Sequence, residues 1–313
     1  MAFAQSASPR SIGLFGEATY ALTSALRLTA GLREDQDKVA QTQTFEPGGS
    51  GGVAVPYEET LHHLDWKARV ETDLSANSLL YGTVSTGYRP GSFVNGEKTE
   101  DEKVTAYEIG SKNRVLGSLT LNGAVFYYDY SGFQNVESVI VNGAPSSIVV
   151  PLPAKFYGGE LEFAAQLSPN DRLTLSPAVE RAKFTAGGPG VATDGGIIPN
   201  TPKFSISGRY EHGFVLPSGD RISWQVDSHY QTQALTDFDF SNYPTTNPPY
   251  LQKSYSIVNS SLTFAPMSGK YSITAFGRNL GNTLYKLTVY NPNPPSAYVS
   301  DPRTFGIMIS AKL

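Results

Sequence analysis

The stretch Leu64-Asp-Trp-Lys-Ala-Arg-Val-Glu71 shows the pattern that identifies this fold, because apolar and charged side chains alternate along it without a break. Successive side chains of a β-strand point to opposite faces, so its four apolar residues share one face and its four charged residues share the other. The same alternation recurs along the chain as far as Arg303 to Leu313, whereas stretches with a helical period are scarce. The sequence therefore predicts an all-β protein.

The alternation predicts about 13 long strands in a meander. They cover residues 11–22, 25–38, 62–75, 78–90, 103–115, 118–132, 153–168, 171–186, 203–215, 220–235, 253–265, 270–280 and 303–313. Many of them run to ten residues or more. Ordinary strands average about 5–6 residues, whereas a tilted strand that crosses a membrane needs about 9–11. Strand length therefore favours a membrane protein.

The connections between these strands alternate strictly between short and long. The short ones are turns near residues 23–24, 75–77, 116–117, 168–170, 216–219 and 266–269. The long ones cover 40–61, 91–102, 134–152, 187–202, 236–252 and 281–302. This predicts an antiparallel transmembrane β-barrel, at least in part, with short periplasmic turns and long extracellular loops. We expect residues 1–10 to be a disordered or truncated start and residues 11–313 to form the barrel portion.

Composition excludes several classes of function. The 313 residues carry a net charge of −4, so the chain lacks the basic footprint of a nucleic-acid-binding protein. With no Cys there is no disulfide framework, no thiolate metal site and no Cys nucleophile. The sequence has no apolar run of about 18 residues, so it predicts no transmembrane helix. The first residues lack the basic start and apolar core of a signal peptide.

The sequence pattern fits other all-β architectures less well than the barrel. The short turns recur about every 50 residues, which suggests a kelch-type propeller, but a propeller blade needs four strands per period and this chain has two. A soluble sandwich rarely combines such long strands with long loops on one side only. The alternatives left open are a soluble secreted all-β carbohydrate-binding protein or hydrolase, and a passive porin-like channel.

Six segments in order resemble those of TonB-dependent outer-membrane receptors. They are Tyr81-Gly-Thr-Val-Ser-Thr-Gly-Tyr-Arg-Pro-Gly-Ser-Phe93, Tyr107-Glu-Ile-Gly-Ser-Lys112, Leu119-Thr-Leu-Asn-Gly-Ala-Val-Phe-Tyr-Tyr-Asp-Tyr130, Ile198-Pro-Asn-Thr-Pro-Lys203, Phe276-Gly-Arg-Asn-Leu-Gly-Asn-Thr-Leu-Tyr285 and Asp301-Pro-Arg-Thr-Phe-Gly306. The resemblance covers nearly the whole chain. One departure is the final residue, Leu313, where the family usually has an aromatic residue.

The resemblance implies the C-terminal part of a barrel of about 22 strands around a plugged lumen. It implies energy-coupled uptake of a scarce nutrient, such as a ferric siderophore, cobalamin or an oligosaccharide, in the cell outer membrane. No enzymatic step and no cofactor are implied. The implied partners are outer-membrane lipid, the upstream barrel strands, a plug domain absent from this sequence, and an energy-transducing inner-membrane complex that acts through that plug.

The number of predicted strands, thirteen, is odd. The first and the last strand both run from the long-loop rim to the short-turn rim, so they would meet in parallel, whereas single-chain bacterial barrels have an even number of antiparallel strands. We therefore expect an open, curved sheet with two unpaired edges.

The polar strand faces supply candidate lumen-lining residues. These are Glu160, Glu162, Arg209, Glu211, Asp227, His229 and Arg278. Glu160 and Glu162 share a face as glycosidase carboxylates do, but no apolar pocket that would raise a carboxyl pKa is visible around them. His62 and His63 are adjacent on a strand and point to opposite faces, so no metal site is expected.

Aromatic residues in the last two long connections are the candidate ligand-binding residues. They are Phe238, Phe240, Tyr243, Tyr250, Tyr290 and Tyr298. Aromatic rings can form an apolar platform on which a ligand stacks. A membrane-interface girdle or packing within the loops is the competing interpretation.

Overall fold

The computed structural model describes residues 2–46, 53–91, 93–94, 97–141, 144–187, 196–236, 250–290 and 296–311. These residues form strands, which we number in chain order. They are β1 (Ala2–Ala7), β2 (Arg10–Ala21), β3 (Leu26–Glu46), β4 (Val53–Ser75), β5 (Ser78–Arg89), β6 (Phe93–Val94), β7 (Glu97–Lys98), β8 (Glu102–Val115), β9 (Leu119–Val141), β10 (Ala144–Ser168), β11 (Asp171–Phe184), β12 (Phe204–Val215), β13 (Arg221–Gln231), β14 (Ala234–Leu235), β15 (Leu251–Gln252), β16 (Tyr255–Ala265), β17 (Tyr271–Arg278), β18 (Lys286–Tyr290), β19 (Ser296–Val299) and β20 (Thr304–Ala311). In this part of the chain, no helix has the length and apolar character to cross a membrane.

One antiparallel sheet of 14 strands contains all thirteen predicted strands. Its order is β1 or β2, β3, β4, β5, β8, β9, β10, β11, β12, β13, β16, β17, β20. Short turns join the strands at one rim and long connections join them at the other, as the sequence predicts. Within the described residues β2 pairs only with β3 and β20 only with β17, so the sheet is not closed. The prediction of an open sheet is confirmed.

Two of the predicted long loops are instead largely extensions of strands. Strands β3 and β4 stay in register from Leu26↔Thr72 to Phe45↔Val53. Strands β9 and β10 pair as far as Ala144↔Val141, with one bulge between Leu152 and Ala154. The predictions of loops at 40–61 and 134–152 are therefore wrong for most of their lengths. The ladders continue because each pairing satisfies the backbone N–H and C=O groups of both strands.

The first residues also differ from the expected disordered start. Strand β1 pairs with the extended part of β3, from Ala2↔Glu46 to Ala7↔Gln41. Strands β1 and β2 run in the same direction along β3 and are separated only by Ser8 and Pro9. Pro9 has no N–H group to donate to a ladder, which explains the break at this point. The long β3 thus offers a partner that strand periodicity alone did not reveal.

Three of the long connections contain small two-stranded sheets of their own. They are the pairs β6 with β7, β14 with β15, and β18 with β19. They lie at the long-loop rim, so that rim contains ordered backbone beyond the ends of the main strands.

Cross-strand register turns the alternation of single strands into two continuous faces. One row across seven strands runs Leu28, Val70, Gly82, Ile109, Val125, Gly159, Val179. Its large side chains are exposed, with Ile109 at 60% and Val125 at 59% of their full area. A soluble protein rarely exposes a contiguous apolar surface of this extent, whereas the lipid-facing side of a membrane barrel does. We call this side the apolar face and the opposite side the polar face.

Candidate ligand-binding face

All seven residues predicted to line the lumen lie on the polar face. The row that starts at Arg27 and Glu71 passes through Tyr81, Gly110 and Ala124 to Glu160. The remaining six point to the same face as this row, because they occupy the corresponding alternate positions of their own strands. They are Glu162 on β10, Arg209 and Glu211 on β12, Asp227 and His229 on β13, and Arg278 on β17. Their common face is thus a property of the structure, and their place in a lumen remains a prediction.

The middle of the polar face carries a network built around Tyr81. The Tyr81 hydroxyl donates a hydrogen bond of 2.7 Å to Glu108. The guanidinium carbon of Arg69 lies 4.3 Å from the centroid of the Tyr81 ring, and Arg69 donates to Glu71 at 2.8 Å. A cation over an aromatic face and hydrogen bonds to two carboxylates restrain these side chains. The network therefore makes this part of the wall rigid and polar.

A second network surrounds Asp227 and His229. Asn259 donates to Asp227 at 2.7 Å, and Gln225 donates to it at 3.4 Å. His229 Nδ1 lies 3.0 Å from the Ser207 hydroxyl. These contacts join β12, β13 and β16 side by side. Charged and amide side chains at this density are costly against hydrocarbon, so this wall suits water rather than lipid.

An aromatic cluster interrupts the polar face directly below the long connections of β9, β10 and β11. Tyr130 lies 5.4 Å from Phe133 and 5.2 Å from Phe156, centroid to centroid. Phe133 lies 6.1 Å from Phe184, and Leu152 and Phe184 are buried at 5% and 0% exposure. We call this group the aromatic cluster. Edge and tilted contacts at these distances are the favourable aromatic geometries.

The aromatic cluster continues along β9 toward the middle of the wall. Phe126 stacks on Tyr128 at 5.0 Å, and both lie on the polar face. Two-residue alternation predicts a purely polar character for this face, so it does not predict these two rings. The run Val125-Phe-Tyr-Tyr-Asp-Tyr130 carried the signal, because consecutive aromatic residues place rings on both faces of one strand.

The predicted loop aromatics have different outcomes. Phe238, Phe240 and Tyr243 lie outside the described residues. Tyr250 is fully buried, so its ring does not form an open platform. Tyr290 ends β18, and Tyr298 in β19 is 69% exposed. Of the described loop aromatics whose exposure is known, Tyr298 is thus the one displayed to solvent.

The adjacent histidines His62 and His63 each lie beside a carboxylate of their own. His62 Nδ1 lies 3.8 Å from Glu34, whereas His63 lies 3.2 Å from Asp65 and stacks on Tyr88 at 4.1 Å. Across the described ranges, no three His, Asp or Glu side chains are close enough together to hold a metal ion.

A long antiparallel meander with an exposed apolar face, a polar opposite face, short turns on one rim and long connections on the other defines part of a β-barrel of the outer-membrane type. The profile of the family described as TonB dependent receptor-like, beta-barrel, matches residues 2–280. The chain belongs to this family.

Solved structures of similar fold are uptake receptors. The ferric yersiniabactin uptake receptor FyuA from Yersinia pestis has 18% identity and a TM-score of 0.82, over 98% of this chain and 46% of its own. The ferric-catecholate import receptor Fiu from E. coli K12 has 19% identity and a TM-score of 0.77, over 97% and 45%. The pyoverdine receptor FpvA from Pseudomonas aeruginosa PAO1 has 16% identity and a TM-score of 0.72, over 97% and 42%.

The chain therefore spans less than half the length of these receptors. At this level of identity the likeness establishes the fold alone. A comparison with curated protein sequences finds no significant match.

Proposed function

We propose that this chain forms the C-terminal part of an outer-membrane receptor barrel, which takes up a ferric siderophore in an energy-coupled manner. The observation that carries the proposal is the aromatic cluster, whose half-buried rings Tyr130, Phe133 and Phe156 pack around the buried Phe184 on the polar face just inside the long-loop rim. A ligand arriving from outside would meet these rings before it reached the polar networks further down the wall.

The partners follow from the family and from the unpaired sheet edges. Upstream strands would pair with β2 and β20, and a plug domain would fill the lumen and transmit energy from an inner-membrane complex. The polar face offers many charged and hydrogen-bonding groups to such a plug. The family and its structural neighbours are transport receptors, and membership does not support a soluble carbohydrate-binding protein or a passive porin.

The surroundings of the aromatic cluster also restrict the ligand. Two carboxylates border the aromatic cluster, since Glu102 accepts a hydrogen bond of 3.0 Å from the backbone N–H of Gln134 and Glu180 lies on the same face of β11 as Phe184. Arg89 is 3.9 Å from Glu102 and belongs to a mixed charged rim. Rings bordered by carboxylates suit a neutral or weakly charged aromatic chelate better than a highly anionic one, because like charges repel.

The test uses the outer-membrane protein that carries this chain, in iron-starved cells and in detergent. The probes are ferric siderophores of the phenolate, hydroxamate and tris-catecholate classes, each with its iron-free form as control. We expect a phenolate or hydroxamate complex to quench the protein's intrinsic fluorescence and to deliver radioactive iron. Tyr130→Ala should weaken its binding about 2- to 10-fold, the value of one aromatic contact.

Tyr157→Ala is the matched control, since Tyr157 is a tyrosine of the neighbouring strand on the apolar face. It should leave binding unchanged. Failure of every ferric siderophore to bind, or equal losses in the two variants, would contradict the proposal. Passive uptake of small sugars by liposomes that contain the protein would favour the porin alternative.

A further inference from the structure

Four basic side chains lie together on the apolar face near the long-loop rim. They are Lys103 on β8, Lys155 on β10, and Arg181 and Lys183 on β11. Lys155 and Lys183 are direct cross-strand partners, and Lys155 also faces Asp129 of β9. Asp129 is the acidic member of this patch, so its net charge is 4 − 1 = +3, on a chain whose net charge is −4. We call these four cations and Asp129 the basic patch.

The arrangement is costly unless something neutralises it. Like charges directly opposite each other on one face of a sheet repel, as Lys155 and Lys183 do. Among the described residues none of the four cations makes an ion pair within 4.0 Å. Asp129 offsets one of the four positive charges, and Lys155 lies 5.9 Å from the centroid of the Tyr127 ring, so the basic patch keeps a net positive charge at the surface.

Its height on the sheet matches the level of lipid headgroups. A row of tyrosines, Tyr107, Tyr127 and Tyr157, lies directly beneath the lysines, and Arg181 continues that row as the partner of Tyr157. Tyrosine belts of this kind mark the boundary between hydrocarbon and headgroups. At about 3.3 Å per residue and a tilt of roughly 40°, the ten or so residues of β8 from the turn to this level rise about 25 Å, the height of the apolar band of outer-membrane barrels.

We propose that the basic patch binds the phosphate groups of a phosphorylated glycolipid in the outer leaflet of the membrane. The lysines and Arg181 supply the charge, and Arg181 can also hold a phosphate through two parallel hydrogen bonds. The three tyrosine rings beneath them pack against the first carbons of the acyl chains. The site lies on the outside of the barrel, so it is independent of the ligand that passes through the lumen.

The test compares two triple variants of the outer-membrane protein that carries this chain. One is Lys155→Gln, Arg181→Gln, Lys183→Gln, and the matched control is Arg114→Gln, Arg172→Gln, Arg221→Gln. The control removes three cations of the polar face near the short-turn rim. The probes are mixed detergent micelles that contain lipid A, lipid A without its phosphates, or neither. Bound lipid is counted by native mass spectrometry, and stability is followed as the melting temperature.

We expect the parent protein and the control to retain phosphorylated lipid A, and the patch variant to bind it at least about tenfold more weakly. The order of the melting temperatures of the parent and the patch variant should reverse between the two kinds of micelle. In micelles without anionic lipid the patch variant should melt at or above the parent, because repulsion between its cations is gone. With phosphorylated lipid A the parent should melt higher.

Three results would overturn the proposal. They are equal retention of phosphorylated lipid A by the patch variant, equal binding of lipid A with and without phosphates, and displacement of the lipid by millimolar inorganic phosphate. The last would show a site for any small anion rather than for a lipid. If the patch variant fails to fold in every micelle, Lys155→Arg with Lys183→Arg keeps the charge and should retain the lipid. Loss of lipid binding in this double variant would equally contradict the proposal.

Discussion

At the scale of single residues, Leu116 has an unusual backbone conformation. Its φ is +53°, followed by +70° at Gly117, in the short turn between β8 and β9. Positive φ at both central residues is typical of a type I′ hairpin turn, in which Asn-Gly is the preferred pair. The Leu116 side chain is 91% exposed, so it gains nothing from packing to offset the conformational cost.

Leu116→Asn should therefore stabilise the hairpin, by about 1 kcal/mol, because asparagine tolerates left-handed geometry better than leucine. The measurement is the free energy of unfolding in urea for the protein in lipid micelles. Leu116→Ala is the control and should give little gain, since alanine keeps the steric penalty. Destabilisation by asparagine would show that the turn has a different geometry.

Asp220 joins two neighbouring short turns. Its carboxylate accepts a hydrogen bond from the backbone N–H of Met267 at 2.9 Å and another from the Ser218 hydroxyl at 2.7 Å. These two bonds, the first above all, lower the pKa of the Asp220 carboxyl from its ordinary value. A lowered pKa means that the contribution to stability is present above the unfolded-state pKa, about 3.9, and is lost as the pH falls through the folded-state value.

We predict that Asp220→Asn destabilises the protein at pH 7 and that this difference shrinks as the pH falls below about 4, because the parent then protonates its own carboxylate. Unfolding in urea at several pH values measures both quantities. Ser223→Ala, in the next strand, is a control whose effect should not vary with pH. A difference between parent and Asp220→Asn that stayed constant down to pH 2 would contradict the assignment.

The face of the sheet to which each side chain points could be predicted from sequence, whereas contacts between side chains of different strands could not. The seven polar-face residues follow from two-residue alternation within each strand. The aromatic cluster depends on how Tyr130, Phe156 and Phe184 come together from three strands, and this requires the register and the bulge near Leu152. Neither is encoded in the periodicity of a single strand.

At the scale of elements, the last strand tests which face meets lipid. Ile309 pairs with Ile273 on the apolar face, and Met308 pairs with Thr274 on the polar face. A positive charge on the lipid-facing side of a barrel costs about 2–4 kcal/mol near the middle of the bilayer, whereas lumen positions tolerate charge.

Ile309→Arg should thus block insertion or destabilise the barrel, and Met308→Arg should be tolerated. Outer-membrane fractionation followed by immunoblotting measures the amount of inserted protein. Similar yields for the two variants would refute the assignment of faces. The reverse order, with Met308→Arg the more damaging, would show that the faces are exchanged.

The strand cores were predictable, but their ends at the long-loop rim were not. Residues 40–61 and 134–152 lack clear alternation with apolar side chains, because a hairpin that extends above the membrane has no lipid-facing side to define a period. Backbone pairing holds these extensions together, and pairing leaves little trace in composition. The three small sheets in the long connections escaped prediction for the same reason.

At the scale of the whole molecule, the sheet has two long edges. Along each edge, every second backbone N–H and C=O group of β2 and β20 points away from its one partner strand. Hydrocarbon does not tolerate such unpaired groups, so the edges need further strands in a membrane. The two edge strands run in the same direction, and direct pairing between them would be parallel, unlike every other pair in the sheet.

Hydrogen–deuterium exchange of the 313-residue chain, refolded alone in detergent and resolved by amide, tests this most directly. We predict that amides in the middle of β9 and β10 exchange slowly, while the outward amides of β2 and β20 exchange as fast as free loops. We also expect the chain to aggregate with time unless upstream strands are supplied. A monodisperse, heat-resistant monomer with slow exchange along both edges would show that β2 and β20 pair, and it would contradict the account.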